Sequence, residues 1–160
     1  MTIAVGDRLP EATFMVMRDG KSAPVTTAEV FGGKKVVLFA VPGAFTPTCH
    51  VQHLPGFLSH AGDFAARGVD TVACVSVNDH HVMSAWGKAT GSDGKLMLLA
   101  DGTGAFAKAM GLDADMGALG VRSKRYAALV ENGVLKVLHV ETAGGVAASS
   151  AETMLKSLDG

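Results

Sequence analysis

The sequence is poor in cysteine, in net charge and in long apolar runs, and each shortage excludes a class of protein. Two cysteines among 160 residues are too few for a disulfide scaffold. A net charge of −1 offers no basic surface for nucleic acid or for an anionic membrane. The longest apolar run, Val36 to Val41, is far too short to cross a bilayer, so no membrane partner is expected.

The amino-terminal segment has no basic stretch followed by an apolar one, so it does not predict a secretory signal peptide. Hydrophobic residues make up 48% of the chain, enough for a sizeable core. We therefore predict a single domain over residues 1–160. The few cysteines and the missing leader favour a cytoplasmic location with reduced thiols.

Continuous apolar runs predict three strands buried on both faces, over residues 36–41, 71–77 and 96–100. Helical spacing follows the first two runs. The first helix begins near Cys49, and Pro55 within it predicts a kink or break. The second helix has Asn78 and Asp79 available as caps and runs through Trp86.

Turn signals complete the pattern. Asp19-Gly20 and Asn132-Gly133 predict hairpins at the two ends of the chain. A short helix is expected over residues 104–111, and residues 149–152 form a candidate capping box for a last helix. This order predicts an α/β protein with a partly parallel sheet. It is compatible with a thioredoxin-like fold and also with other α/β sheets.

Cys49 lies between the first buried strand and the first helix, where α/β folds usually place ligands. A helix start offers unpaired amide donors and partial positive charge, both of which favour a thiolate. Thr46 can present a hydroxyl to the same point, and Pro42 and Pro47 stiffen the loop. The residues alone leave a buried, unreactive cysteine as the alternative.

The motif Pro42-x-x-x-Thr46-x-x-Cys49 resembles the active-site motif of peroxiredoxins. The longer string PGAFTPTC, followed by HLPGF at residues 53–57, is similar to the type II, or peroxiredoxin-5-like, subfamily. Further matching segments extend from residue 3 to GVRSKRY at residues 120–126. The resemblance implies a thioredoxin-like fold with a central mixed β-sheet flanked by helices and an N-terminal hairpin extension. It implies no cofactor.

The resemblance also implies a peroxidase mechanism for hydrogen peroxide and organic hydroperoxides. Cys49 would attack the peroxide O–O bond and become a sulfenic acid. Thr46 would hydrogen-bond the peroxide, Arg125 would stabilise the thiolate, and Pro42 would shield the pocket from water. Arg122 is the second candidate arginine. Because it points to the opposite face of an extended segment, we expect it to be a solvated surface charge.

Cys74 lies 25 residues after Cys49, the spacing of the resolving cysteine in plant-like members of that subfamily. Its apolar surroundings in TVACVSV favour instead a buried core thiol. No cysteine occupies residues 147–150, where animal-like members carry theirs. If Cys74 does not resolve, glutathione with glutaredoxin is the expected reductant and thioredoxin the second choice. The family also suggests a homodimer, with Phe45 as either a dimer contact or a core residue.

Other functions fit these residues less well. His50 and His53 flank Cys49, but two cysteines and scattered histidines do not make a zinc site, so no metal is predicted. A Cys–His hydrolase lacks a visible orienting residue. A thioredoxin-type oxidoreductase would need cysteine where Thr46 stands. A redox sensor that passes oxidation from Cys49 to a partner protein is the strongest rival.

Overall fold

The sheet order follows from where the sequence places its apolar runs. The computed structural model describes residues 2–159. The strands within this range are β1 (Thr13–Arg18), β2 (Lys21–Thr26), β3 (Lys35–Val41), β4 (Thr71–Ser76), β5 (Met97–Ala100), β6 (Asp113–Asp115), β7 (Val121–Ser123), β8 (Tyr126–Glu131) and β9 (Val134–Val140). The helices are α1 (Thr27–Phe31), α2 (Leu54–Ser59), α3 (Ala61–Ala66), α4 (His80–Thr90), α5 (Ala105–Met110) and α6 (Ala151–Asp159).

Seven strands form one sheet in the order β2-β1-β5-β4-β3-β8-β9. The three continuous apolar runs became the parallel centre, β5-β4-β3, as predicted. The Asn132-Gly133 hairpin adds β8 antiparallel to β3, and β9 beyond it. At the other edge, β1 and β2 pair around Asp19-Gly20, and β1 meets β5 at one antiparallel position. The predicted α/β architecture with a mixed sheet is confirmed.

Each face of the sheet has its own apolar core. The side chains of β3 alternate between the two, because successive strand residues point to opposite faces. One core contains Val36, Leu38 and Ala40 and packs against α1 and α5. The other contains Phe39, Cys49 and Cys74 and packs against α2, α3, α4 and α6. Both cysteines therefore lie on the same side of the sheet.

The first predicted helix differs from a regular α-helix at its start. Cys49–His53 is a π-helical turn, closed by the bond from the Leu54 amide to the Cys49 carbonyl. Pro55 comes two residues after the end of this turn, as the second residue of α2. Proline has no N–H to donate, and the wider turn re-routes the carbonyls before it, so the helix continues past Pro55. The break falls instead at His60, between α2 and α3.

The other helix signals agree with the structure in most details. Asp79 caps α4 by accepting from the Val82 amide at 2.9 Å, and the helix continues to Thr90. Gly111 ends α5 in the left-handed conformation. The last helix is capped by Ser150, whose hydroxyl accepts from the Thr153 amide at 3.1 Å. The predicted box beginning at Ser149 is wrong, because the Ser149 side chain bonds elsewhere.

Candidate active site

The sheet brings the loop after β3 and the segment before β8 to the same edge. Ala40, near the carboxyl end of β3, pairs with Tyr126, the first residue of the antiparallel strand β8. Cys49 follows β3, and Arg125 directly precedes β8. A parallel centre with one antiparallel neighbour thus places residues 76 positions apart within contact distance.

The Arg125 guanidinium contacts the Cys49 sulfur. Its Nη2 donates to Sγ at 3.0 Å. Cys49 is fully buried, so water does not solvate its sulfur and the guanidinium is the partner that can balance a negative charge there. This juxtaposition is the one expected of a thiolate kept ready for reaction.

His53 accepts a hydrogen bond from the other terminal nitrogen of the same guanidinium. Arg125 Nη1 donates to His53 Nδ1 at 2.9 Å, and His53 Nε2 lies 2.9 Å from the Ser149 carbonyl. A carbonyl only accepts and a guanidinium only donates, so His53 is neutral with its proton on Nε2. Burial, with a smaller contribution from the Arg125 charge, lowers the pKa of His53 to about 4, against opposing effects of Ser149 and Glu141. The sequence predicted a local packing or hydrogen-bonding role for His53 and missed its contact with Arg125.

Thr46 lies in the loop that connects β3 to the π-helical turn. Its hydroxyl donates to the Gly43 carbonyl at 2.6 Å, which leaves the oxygen lone pairs to accept from a ligand. The backbone at Gly43 is closely approached: a Cβ there would lie 3.0 Å from Thr46 Cγ2 and 3.2 Å from Arg122 Nη1, so a larger residue would press on both side chains. The threonine that the sequence singled out is therefore held by its own loop.

Arg122 is not the solvated surface charge that its position predicted. Its Nε donates to the Leu119 carbonyl at 2.8 Å, and its Nη1 to the carbonyls of Val77 at 3.1 Å and Pro42 at 3.4 Å. The side chain ties the β6–β7 segment to the loop after β3 and to the end of β4. As strand alternation predicted, only one of the two arginines reaches the sulfur. Arg125 contacts Cys49, and Arg122 donates to the Pro42 carbonyl.

Cys74 lies in the middle of the sheet, paired with Phe39 of β3 and Leu98 of β5. Its side chain is fully buried, and both cysteines are free thiols. Burial raises the pKa of Cys74 well above its usual range, and the nearby Cys49 raises it further, against a smaller opposing effect of Arg125. Cys74 is therefore held as a neutral thiol.

The histidines near Cys49 are engaged in other contacts. Trp86 Nε1 donates to His50 Nδ1 at 3.0 Å, and the ring of Phe45 stacks on His50 with centroids 5.7 Å apart. Within residues 2–159 no group of three or more His, Cys, Asp or Glu side chains is placed to hold a metal ion. A cavity of about 460 Å³ lies at the opposite end of the sheet, around the start of β4, away from Cys49.

Comparison with known proteins gives matches over nearly the whole chain. The family model described as Redoxin matches residues 4–155. The curated relative Peroxiredoxin-2E-2, chloroplastic, from Oryza sativa subsp. japonica is 52% identical over 98% of this chain and 73% of its own length. Peroxiredoxin-2C from the same organism is 46% identical, with 98% of each chain covered.

Solved structures agree with these relatives. The crystal structure of reduced Prx3 in complex with H2O2 from Vibrio vulnificus is 47% identical. It superposes with a TM-score of 0.95 over 98% of this chain and 99% of its own. Peroxiredoxin 5 from Alvinella pompejana is 34% identical, with a TM-score of 0.85 and 98% of each chain covered.

The depressed pKa of His53 predicts a pH-dependent stability. In the unfolded chain the imidazole takes up a proton near its ordinary value of 6.5, and in the folded chain only near 4. The stability that this group contributes is therefore complete above pH 6.5 and falls as the pH is lowered towards 4, because the unfolded chain binds the proton first. The loss from this group is expected to be about 3 kcal/mol.

Urea unfolding at several pH values measures this loss. His53→Gln should remove most of the decrease in unfolding free energy between pH 6.5 and 4, whatever its stability at neutral pH. The matched control is His81→Gln, an exposed histidine on α4, which should keep the wild-type pH dependence. Equal slopes for wild type and His53→Gln would contradict the assignment of a buried neutral imidazole.

Proposed function

The chain belongs to the Redoxin family and is a peroxiredoxin, a thiol-dependent peroxidase with a thioredoxin-like fold, and we propose that Cys49 is its peroxidatic cysteine. The single observation that carries this assignment is the 3.0 Å contact from Arg125 Nη2 to a fully buried Cys49 sulfur. Cys74, the only other thiol, is neutral and enclosed in the sheet.

The reaction proposed for Cys49 is nucleophilic attack on the terminal oxygen of a hydroperoxide. The S–O bond forms as the O–O bond breaks, so sulfur loses two electrons and becomes a sulfenic acid. The other peroxide oxygen leaves as hydroxide or alkoxide and takes a proton from water. The Arg125 donors stabilise the charge as it moves from sulfur to the leaving oxygen.

The remaining loop residues have supporting roles in this proposal. Thr46 accepts a hydrogen bond from the peroxide O–H, because its own proton is directed at Gly43. Pro42 shields the sulfur from water, and Arg122 holds the Pro42 carbonyl from the other side. The relative from Vibrio vulnificus was crystallised with H2O2, which supports hydrogen peroxide as one substrate.

A stopped-flow experiment tests this assignment directly. Trp86 is the sole tryptophan and hydrogen-bonds His50, the residue after Cys49, so its fluorescence should change when peroxide is added. Cys49→Ser should abolish the change. Thr46→Val should slow it about tenfold, the value of one neutral hydrogen bond. The control Thr48→Val should react like wild type, and a normal rate in Cys49→Ser would refute the assignment.

Reduction of the sulfenic acid is proposed to come from outside the chain. Cys74 would have to leave the middle of β4 to reach Cys49, and its neutral, fully buried thiol is a poor nucleophile. An external thiol would condense with the sulfenic acid, releasing water, and a second thiol would free Cys49. We propose glutathione with glutaredoxin as this reductant, and thioredoxin as the second choice.

Intact mass after one equivalent of peroxide separates the two roles of Cys74. Wild type and Cys74→Ser should both gain one oxygen, because neither forms an internal disulfide. Loss of two hydrogens in wild type alone would make Cys74 the resolving cysteine. Turnover of Cys74→Ser with glutathione and glutaredoxin should match wild type. Robust turnover with thioredoxin, and none with glutathione and glutaredoxin, would contradict the proposed reductant.

A homodimer built around the active-site loops is proposed from the exposed apolar side chains. Within residues 2–159, four of the five large exposed ones belong to the active-site loop, the π-helical turn and the segment that Arg122 ties to Pro42: Phe45, Val51, Leu119 and Val121. Phe45 is 48% exposed and has a φ of 67°, a strained conformation for a bulky residue. Such a patch is typical of an interface.

Light scattering after gel filtration measures the assembly. Phe45→Asp should shift the protein from dimer to monomer, because a charge would be buried without a partner. Val5→Asp changes the fifth exposed apolar residue, near the opposite end of the sheet, and should leave the dimer intact. A wild-type monomer, or a dimeric Phe45→Asp, would contradict this interface.

The cellular location remains a prediction. No helix within residues 2–159 is long and apolar enough to span a membrane. Two of the curated relatives carry the word chloroplastic in their names, which concerns those proteins. We propose the cytoplasm for this chain, as its sequence favoured, and fractionation of cells expressing the tagged protein tests it.

A further inference from the structure

Glu141 lies just after β9 and holds the loop that leads to α6. Its carboxylate accepts from three successive amides, those of Ala147 at 3.1 Å, Ala148 at 3.1 Å and Ser149 at 2.9 Å. It also accepts from the Ser149 hydroxyl at 2.6 Å. Four hydrogen bonds to one charged carboxylate tie this loop to the end of β9.

The held loop presents one group to the active site. Ser149 is fully buried, and its carbonyl accepts from His53 Nε2 at 2.9 Å. This contact keeps the proton of His53 on Nε2 and leaves Nδ1 free to accept from Arg125. A proton on Nδ1 would instead face the guanidinium donor and break that bond. A continuous chain of contacts therefore runs from Glu141 to the Cys49 sulfur.

We propose that Glu141 is a positioning residue for this active site, acting through Ser149 and His53 to keep the Arg125 guanidinium directed at Cys49. The Glu141 backbone reinforces the link, since its amide donates to the Arg125 carbonyl at 2.9 Å. The catalytic part of the inference rests on the function proposed above for Arg125 and Cys49. The tautomer part stands on the contacts alone.

The charge of Glu141 is constant over the working pH range. Burial opposes its ionisation, but the hydrogen bonds from Ser149, Ala147 and Ala148 outweigh it and lower the pKa of Glu141 to about 2. The carboxylate is thus ionised, and able only to accept hydrogen bonds, at neutral and mildly acidic pH. Glu141 is a fixed support and not a pH switch.

Two variants test the inference, each compared with wild type in two measurements. Glu141→Gln replaces one acceptor oxygen with a donor that faces the loop amides. Ser149→Ala removes only the hydroxyl contact, and decides the matter if Glu141→Gln fails to fold. Glu152→Gln, an exposed carboxylate on α6, is the matched control. Nitrogen NMR of the His53 ring reports the tautomer, and stopped flow reports the rate with hydrogen peroxide.

Wild type should show a His53 ring protonated at Nε2 alone. Glu141→Gln should show a mixture of tautomers and a rate lower by roughly ten- to a hundredfold, because the guanidinium is misplaced. Ser149→Ala should show a smaller change in both the tautomer ratio and the rate. Glu152→Gln should show no change in either.

An unchanged tautomer in folded Glu141→Gln would overturn the inference, even if the rate fell. A changed tautomer with an unchanged rate would overturn the link to Cys49. If wild-type Cys49 did not react with peroxide, the proposed function would fail, while the NMR comparison would still decide whether Glu141 fixes His53.

Discussion

The contact between a guanidinium and a fully buried sulfur is the constraint on which the rest of this structure depends. A thiolate without water is costly unless a charged donor balances it, and Arg125 supplies that donor at 3.0 Å. The order of strands in the sheet makes this contact possible. It sets the antiparallel strand β8 beside β3, so that the residue before one strand meets the loop after the other.

Holding the guanidinium requires a second layer of contacts. His53 accepts a hydrogen bond from Arg125 Nη1. The π-helical turn from Cys49 to His53 puts the side chains of these two residues on the buried side of the same short segment. Cys74 shares that core as a neutral thiol, and the opposite edge of the loop is held by Arg122. Cys49 is the one thiol in residues 2–159 whose sulfur accepts a hydrogen bond from a cationic side chain.

Local chemistry in the sequence predicted the strands, the Asn132-Gly133 hairpin and the family, because each is carried by neighbouring residues. Local chemistry also selected Cys49 and Thr46, and the family resemblance added Arg125, which the structure places in direct contact with Cys49. It could not show the bond from His53 to Ser149 or the bonds from Arg122 to the carbonyls of Val77 and Pro42, since those partners are distant in the chain. The prediction that Arg122 is a solvated surface charge was wrong for that reason. Strand alternation gives the direction of a side chain but not the groups that it meets.

We propose that Arg125 makes Cys49 reactive by the fixed geometry of its two terminal N–H groups as well as by its charge. The direct test is the rate of Cys49 oxidation by hydrogen peroxide in Arg125→Lys, which keeps the charge and loses the planar fork. The rate in Arg125→Lys should be lower by roughly a hundredfold or more, as for loss of a preorganised donor. A rate equal to wild type would show that charge alone suffices, and would contradict this proposal.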